Sequence, residues 1–150
     1  MGLEQEIMEK MKLAMKAKDQ VSLRTLRAIK SAILLEKTKE GGDGTFAEDD
    51  AIKMLSKLAK QRRDSAALYN EQNRPDLAKT EEEELAVIEQ FLPAQMDDAA
   101  LSKVVADIIT QTGAAGMQDM GKVMGLAMKK VAGQADGKVI SAKVKELLSA

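Results

Sequence analysis

The sequence predicts an all-α protein built from two small helical bundles. Apolar residues recur three and four positions apart along almost the whole 150-residue chain, which is typical of amphipathic helices. Runs of β-branched residues are short, and no alternating pattern typical of strands persists. A break at Leu92-Pro93 separates four predicted helices from three. We therefore expect an N-terminal four-helix bundle over residues 1–92 and a smaller three-helix tail domain over residues 93–150.

Capping residues and glycines delimit the first two helices. The first helix is predicted over residues 3–18, where its apolar residues share one side. Asp19 offers a side-chain cap for a second helix that reaches about residue 40. The glycine-rich segment 41–44 then interrupts the helical pattern.

The third and fourth helices follow from a capping pattern and two prolines. Thr45 followed by Glu48 has the form of a capping box, which opens a long helix through about residue 73. Pro75 suits the first turn of the fourth helix, which runs to about residue 90. Pro93 closes that helix and marks the predicted domain boundary.

Each of the three tail helices is predicted to begin at an aspartate N-cap and to end at a glycine or at the end of the chain. Aspartate side chains accept hydrogen bonds from first-turn amides, and glycine readily adopts the left-handed conformation that ends a helix. The predicted starts and ends are Asp97 with Gly113, Gly116 and Asp119 with Gly133, and Asp136 with the end of the chain.

The composition lacks the residue types that most catalytic and metal sites need. The chain has no His, Cys or Trp, and its aromatic residues are Phe46, Tyr69 and Phe91. A typical zinc site, a Cys/His pair and a Ser/His/Asp relay are therefore excluded. Three aromatic residues are too few for a platform that stacks single-stranded bases. Segment 41–44 lacks the lysine and the preceding strand of a P-loop, so we predict no metal and no cofactor.

The overall charge excludes a global field that would attract nucleic acid or an anionic membrane. The 23 basic and 24 acidic residues leave a net charge of −1. No stretch approaches the roughly 20 apolar residues of a membrane span, and the first residues do not have the pattern of a signal peptide. We expect a soluble, cytoplasmic protein whose nucleic-acid surface, where one exists, is local.

Five charged residues are predicted to face the interior of the first bundle. At about 100° per residue, Arg62 falls in the middle of the apolar arc of the third helix. Lys30 lies between apolar residues of the second helix, with Arg27 at the edge of that arc. Glu81 and Glu84 sit among apolar residues of the fourth helix. Because an unpaired buried charge is costly, we expect the cations to pair with the carboxylates.

Two interpretations of this charged cluster stay open. An ion-pair network would fix the register of the helices, which is a structural role. Alternatively, a polar pocket between the helices would bind a small anion or use Glu81 and Glu84 as acid and base. Replacing Arg62 with Met separates the two, because unchanged melting with lost partner binding would contradict the structural role.

The second tail helix, predicted from Met117 to about Ala132, has an apolar side and a bare basic side. Its apolar arc, which we interpret as core, comprises Met117, Met120, Met124, Ala127, Met128 and Val131. The opposite side carries Gln118, Lys122 and Lys129 next to Gly121 and Gly125. A glycine costs a helix interior about 1 kcal/mol relative to alanine, so the pair of glycines indicates close approach by another group.

Two explanations fit the bare side of this helix. A phosphate backbone would dock against Gly121 and Gly125, with lysines neutralising its charge. Alternatively, another helix packs closely at the glycines beside a solvated lysine face. Residues 117–150 hold 6 basic and 3 acidic residues, whereas residues 1–92 hold 16 and 18, so the basic surface lies at the end. The basic candidates for RNA binding are Lys122, Lys129, Lys130, Lys138, Lys143 and Lys145.

A series of short motifs in the last third is the most specific signal in the chain. The motifs are Phe91-Leu92-Pro93, Thr112-Gly113, Met120-Gly121-Lys122-Val123-Met124-Gly125 and Ala135-Asp136-Gly137-Lys138. They resemble the tail domain of the B subunit of the aspartyl/glutamyl-tRNA amidotransferase, which also occurs in stand-alone proteins of the GatB/YqeY family. The first bundle resembles that of the stand-alone family at Lys60-Gln61-Arg62, Ser65, Tyr69, Arg74, Asp76-Leu77-Ala78, Glu81 and Glu84.

The resemblance implies that the tail contacts the body of a tRNA while other domains of the amidotransferase perform amidation. Gln134 departs from the pattern, which usually has a basic residue before Ala-Asp-Gly. The kinase and glutaminase parts of the amidotransferase have no counterpart here. We predict a non-catalytic accessory protein that binds a tRNA of the glutamine or asparagine type, or a tRNA-handling enzyme.

Two other functions remain open from the sequence. The family name associates the chain with carbon-nitrogen ligation that uses glutamine as the amide donor, which a glutaminase assay on the isolated protein would test. Alternatively, the N-terminal bundle is a protein-interaction module and RNA plays no part, which the absence of crosslinked nucleic acid in a pull-down would support.

Overall fold

The computed structural model describes residues 2–39 and 46–150, and these ranges contain helices and no strand. The predicted all-α class is confirmed. The helices are α1 (Leu3–Ala17), α2 (Gln20–Thr38), α3 (Glu48–Glu71), α4 (Pro75–Glu89), α5 (Asp98–Thr112), α6 (Met120–Lys130) and α7 (Gly137–Leu148), with a 3-10 turn at Met117–Asp119 before α6. None of these helices is long and apolar enough to cross a membrane.

The chain divides into two compact units, Met1–Leu92 and Pro93–Ala150. In the first unit, α1 packs on α2 and α3 packs on α4, while α2 joins the two pairs by packing on α4. Aliphatic side chains from all four helices form its core, including Ile7, Leu26, Ile29, Leu55 and Ile88, each at most 2% exposed. Because the core draws on every helix, the four helices fold as one bundle.

The second unit has a separate core between α5, α6 and α7. Its most buried side chains are Leu101, Val105, Val123, Ala127, Val131, Ile140 and Val144, each at most 1% exposed. Aliphatic residues from three helices therefore exclude water from one centre, which fixes the side of α6 that faces solvent.

Aspartate caps start three of the helices as predicted. Asp19 accepts a hydrogen bond from the Ser22 amide at 3.0 Å at the start of α2. Asp97 accepts from the Ala100 amide at 2.7 Å at the start of α5. Asp136 accepts from the Lys138 amide at 3.1 Å at the start of α7. Each cap satisfies an amide that has no partner within its own helix.

Two helix starts differ from the prediction. Thr45 and segment 41–44 lie outside the described residues, and the structure places Ala47 at the N-cap position of α3, so Glu48 begins the helix. The Asp119 carboxylate accepts a hydrogen bond from the Ala115 amide at 2.9 Å, so it bonds backward rather than capping α6.

The end of α6 also differs from the prediction. The helix stops at Lys130, three residues before Gly133. Gly133 adopts a left-handed φ of 76° in the loop that follows, and its carbonyl accepts a hydrogen bond from Gln95 Nε2 at 2.8 Å.

Candidate nucleic-acid interface

Helix α6 faces the tail core with a different arc from the one predicted. Val123, Ala127 and Val131 are fully buried, whereas Met117 and Met128 are 43% and 45% exposed. The prediction was wrong for these two methionines and omitted Val123. Compact valine and alanine side chains allow α6 to approach α5 and α7 closely, which leaves the longer methionines at the edges of the contact.

The side of α6 opposite its buried arc is exposed and bare. We call Gly121, Lys122, Gly125 and Lys129 the α6 basic face; all four residues are exposed. A Cβ atom built at Gly121 or Gly125 would meet no heavy atom within 4 Å. No helix of the described chain therefore packs against the glycines, which contradicts internal close packing as their explanation.

The lysines of this face are available to an external anion. Among the described residues, Lys122 and Lys129 take part in no ion pair or side-chain hydrogen bond, and neither does Lys130 at the end of α6. Lys129 and Lys130 also lie in the last turn, where a cation favours the negative end of the helix dipole. That local role accounts for these two lysines, whereas Lys122 lies in the first turn of α6 and has no such role.

Lys143 does not belong to the solvated basic surface on which the sequence placed it as an RNA-binding candidate. Its side chain is 7% exposed, and its ammonium group lies 2.8 Å from Asp98 Oδ1 and 3.2 Å from Glu146 Oε2. The hydrogen bond to Asp98 raises the pKa of the Lys143 ammonium above its ordinary value. Lys143 joins α7 to the start of α5 and is not free to bind phosphate.

The remaining candidates lie on α7. Lys138 and Lys145 are both exposed. The Lys138 amide donates to Asp136, so the cap already occupies one of the amides that an anion at this helix start would use. The Gln134 carbonyl accepts from the Met96 amide at 2.8 Å, which means that the residue departing from the family pattern also holds the segment after Pro93.

Apolar side chains border the α6 basic face. Leu126 and Met128 are 41% and 45% exposed. Helical spacing places them on opposite flanks of the stripe that contains Gly125 and Lys129. The exposed side of α6 therefore combines bare backbone, two cations and two apolar side chains.

The structure brings together three of the five charged residues predicted to meet inside the first bundle. Arg62 Nε lies 3.4 Å from Glu84 Oε2 and 3.9 Å from Glu81 Oε2, and these side chains are 13–21% exposed. Arg24 also contacts Glu84, at 3.3 Å. The cluster therefore ties α2 and α3 to α4.

Two members of the predicted inward cluster were placed wrongly. Arg27 and Lys30 are exposed on α2, because its buried arc runs through Leu23, Thr25, Leu26, Ile29 and Ile33. Thr25 and Ile29 centre that arc farther from Lys30 than Leu23, Leu26 and Ile33 alone would. Arg24, rather than Arg27 or Lys30, is the cation of α2 that contacts Glu84, although its side chain is half-exposed. Arg24 lies three residues before Arg27 and so on a neighbouring part of the same helix side, which is the sequence pattern that could have identified it.

Comparison with known proteins identifies a family and several relatives. The family described as Yqey-like protein matches residues 4–148. A Vanderwaltozyma polyspora protein named "Altered inheritance of mitochondria protein 41, mitochondrial" is 33% identical over 126 residues, which cover 80% of this chain and 65% of that protein. The Meyerozyma guilliermondii protein of the same name is 36% identical over 124 residues, which cover 82% and 61%. The chain therefore matches about three fifths of the length of these curated relatives.

Proposed function

We propose, because the chain belongs to the YqeY-like protein family, that it is a tRNA-associated accessory protein without catalytic activity of its own. In this proposal the α6 basic face docks on the sugar-phosphate backbone of a tRNA. The resemblance of the tail to that of the amidotransferase B subunit supports a tRNA of the glutamine or asparagine type. The cytoplasmic location expected from the sequence is part of the proposal, although the yeast relatives are mitochondrial by name.

The observation that carries the proposal is the openness of Gly121 and Gly125. Folding does not need glycine at either position, because a Cβ atom would contact nothing within 4 Å. Glycine nevertheless destabilises a helix interior, where Gly125 lies, by about 1 kcal/mol relative to alanine, and Gly121 lies in the first turn of α6. An external group that must approach the helix backbone accounts for this cost, and the flanking lysines fit a group with negative charge.

Leu126 and Met128 support a second candidate, in which α6 binds a tRNA-handling enzyme instead of the tRNA. Both side chains are more than two fifths exposed on the flanks of the same face. Apolar contacts are insensitive to salt, whereas phosphate contacts release counterions and weaken as salt increases. Salt dependence therefore separates the two candidates.

The proposal is tested by equilibrium binding of the intact chain to purified glutamine and asparagine tRNAs. Charge reversal in the variant Lys122→Glu/Lys129→Glu should weaken binding by at least about tenfold, because two phosphate contacts become repulsive. Lys103→Glu on α5 is a control for charge reversal elsewhere in the same unit, since Lys103 is also exposed. Absence of salt-dependent binding to either tRNA, or equal affinities of both variants, would refute the proposal.

A further inference from the structure

A second exposed surface lies on the first unit, along the solvent side of the contact between α1 and α2. The Glu4 carboxylate and the Lys37 ammonium group lie 2.6 Å apart and join the start of α1 to the end of α2, so the two helices run antiparallel. Residues three and four apart lie on the same side of a helix. Successive turns from this ion pair therefore place six residues along the contact, which we call the α1/α2 seam: Met8, Lys12 and Met15 from α1, and Leu34, Lys30 and Arg27 from α2.

The apolar residues of the α1/α2 seam are unusually exposed for side chains that lie next to a complete core. Met8, Met15 and Leu34 are 52%, 53% and 62% exposed. The neighbouring Ile7 and Ile33 are 1% and 4% exposed and already fill the core between the helices. These three side chains therefore stay outside the core of the bundle, and they form a solvent-exposed apolar strip.

Cations accompany the apolar strip. Lys12, Arg27 and Lys30 are exposed, and within the described ranges none of them takes part in an ion pair or side-chain hydrogen bond. The acidic group at the end of the strip, Glu4, is neutralised by Lys37. The seam therefore offers apolar contact together with a net positive charge.

We propose that the α1/α2 seam binds an amphipathic helix of a partner protein that carries leucine-type residues flanked by carboxylates. A shallow strip between two antiparallel helices suits a third helix, which presents apolar side chains at every turn. Methionine side chains are flexible and adapt to the shape of such residues. Carboxylates on the partner complement Arg27 and Lys30.

The same charges disfavour two other occupants. In a symmetric pair of copies, two seams with the same net positive charge would face each other, which is unfavourable. An anionic membrane is bound best by surfaces with many cations and interfacial aromatic residues. The seam has three cations without an ion pair among the described residues, and neither α1 nor α2 contains an aromatic residue.

The test measures binding of the intact chain to a synthetic peptide of about 18 residues, long enough to form a helix. The peptide carries leucines at helical spacing flanked by glutamates, and a matched peptide has lysine in place of every glutamate. The acidic peptide should bind at least about tenfold more tightly than the basic one, since charge complementarity decides the difference. Its binding should also shift the backbone amide resonances of α1 and α2.

Variants assign that binding to the seam. Leu34→Gln and Arg27→Glu should each weaken binding of the acidic peptide by about tenfold. Leu34→Gln removes an apolar contact, and Arg27→Glu reverses a charge. Both residues are exposed, so the bundle should keep its helical circular dichroism spectrum. Leu68→Gln is the matched control, since Leu68 is 51% exposed on α3 and should leave the affinity unchanged.

Three results would overturn the proposal. The first is equal binding of both peptides, or no binding of either at millimolar concentration. The second is self-association of the chain that Leu34→Gln abolishes, which would assign the seam to a second copy. The third is binding to phosphatidylglycerol vesicles that the seam variants abolish while the acidic peptide does not bind, which would assign it to a membrane.

Discussion

Gly121 and Gly125 are the residues at which folding and the proposed binding favour different side chains. A Cβ atom at either position would meet no heavy atom within 4 Å, so alanine should stabilise the tail by about 1 kcal/mol at Gly125 in the helix interior and by less at Gly121 in the first turn. The same methyl groups should weaken tRNA binding, because they hold the phosphate backbone away from α6. Urea unfolding and tRNA affinity of Gly121→Ala/Gly125→Ala measure the two effects separately.

A control for the glycine substitutions comes from another helix of the same unit. Ala142→Gly on α7 replaces an exposed alanine and should reduce stability without changing tRNA affinity. If Gly121→Ala/Gly125→Ala were more stable and bound tRNA as tightly as the unchanged chain, the glycines would have no role in docking.

Lys143 is the residue whose charge state should link tail stability to pH. The Asp98 contact raises the pKa of the Lys143 ammonium above 10.5 in the folded chain. A raised folded-state pKa contributes stability that is fully present below the unfolded value and is lost as pH rises through the folded value. The stability difference between the unchanged chain and Lys143→Met should therefore stay constant below about pH 10 and decrease above it.

Urea unfolding across that pH range checks the Lys143 prediction. Lys145→Met is the control, because Lys145 is exposed on the same helix and its removal deletes a lysine charge without breaking the Asp98 contact. A Lys143→Met difference that also stays constant through pH 11 would show that the Asp98 contact contributes nothing to stability.

Single-residue patterns predicted caps better than they predicted burial of charge. Asp97 and Asp136 cap their helices because capping depends on neighbours within three residues. Lys143 looked like an ordinary solvated lysine, because its partner Asp98 is distant in sequence and comes next to it only through packing of α5 and α7. Arg27 and Lys30 were misplaced because burial on α2 depends on where α1 and α4 lie.

At the scale of helices, the contact of Arg62 with Glu81 and Glu84 ties α3 to α4. Arg62→Met should destabilise the first unit by about 1–3 kcal/mol, because it leaves partly buried carboxylates with one fewer cation. Glu84 keeps its contact with Arg24 at 3.3 Å, which limits the loss. Thermal unfolding of the intact chain measures the effect.

The control for this prediction is Arg27→Met, since Arg27 is exposed and forms no ion pair within the described ranges. This variant should change stability by less than about 0.5 kcal/mol. Unchanged melting of Arg62→Met together with altered partner or ligand binding would contradict the structural role and favour the polar-pocket interpretation.

Helix α6 shows why an amphipathic pattern predicts a helix more reliably than it predicts the buried side. The predicted arc shared Ala127 and Val131 with the buried side, but it included Met117 and Met128 and omitted Val123. The structure centres the buried side on Val123, Ala127 and Val131, with Met120 and Met124 partly buried beside them, because packing of three short helices favours compact side chains. The prediction that Lys122 and Lys129 lie on the exposed side does not depend on that difference.

At the scale of the whole molecule, two units with separate cores support two separate surfaces. The α6 basic face belongs to Pro93–Ala150, and the α1/α2 seam belongs to Met1–Leu92. The helical class and family were accessible from the sequence, because they depend on periodicity and on local motifs. Neither surface could be predicted in full from the sequence, because the exposure of its side chains depends on how helices distant in sequence pack against one another.

The most direct test of the central claim is the salt dependence of glutamine tRNA binding to the intact chain. We expect the logarithm of the association constant to fall linearly with the logarithm of salt concentration. In the variant Lys122→Gln/Lys129→Gln this negative slope should become shallower by about 2, because two phosphate contacts are lost. An unchanged slope in that variant, or an affinity that does not respond to salt, would contradict docking of the tRNA backbone on the α6 basic face.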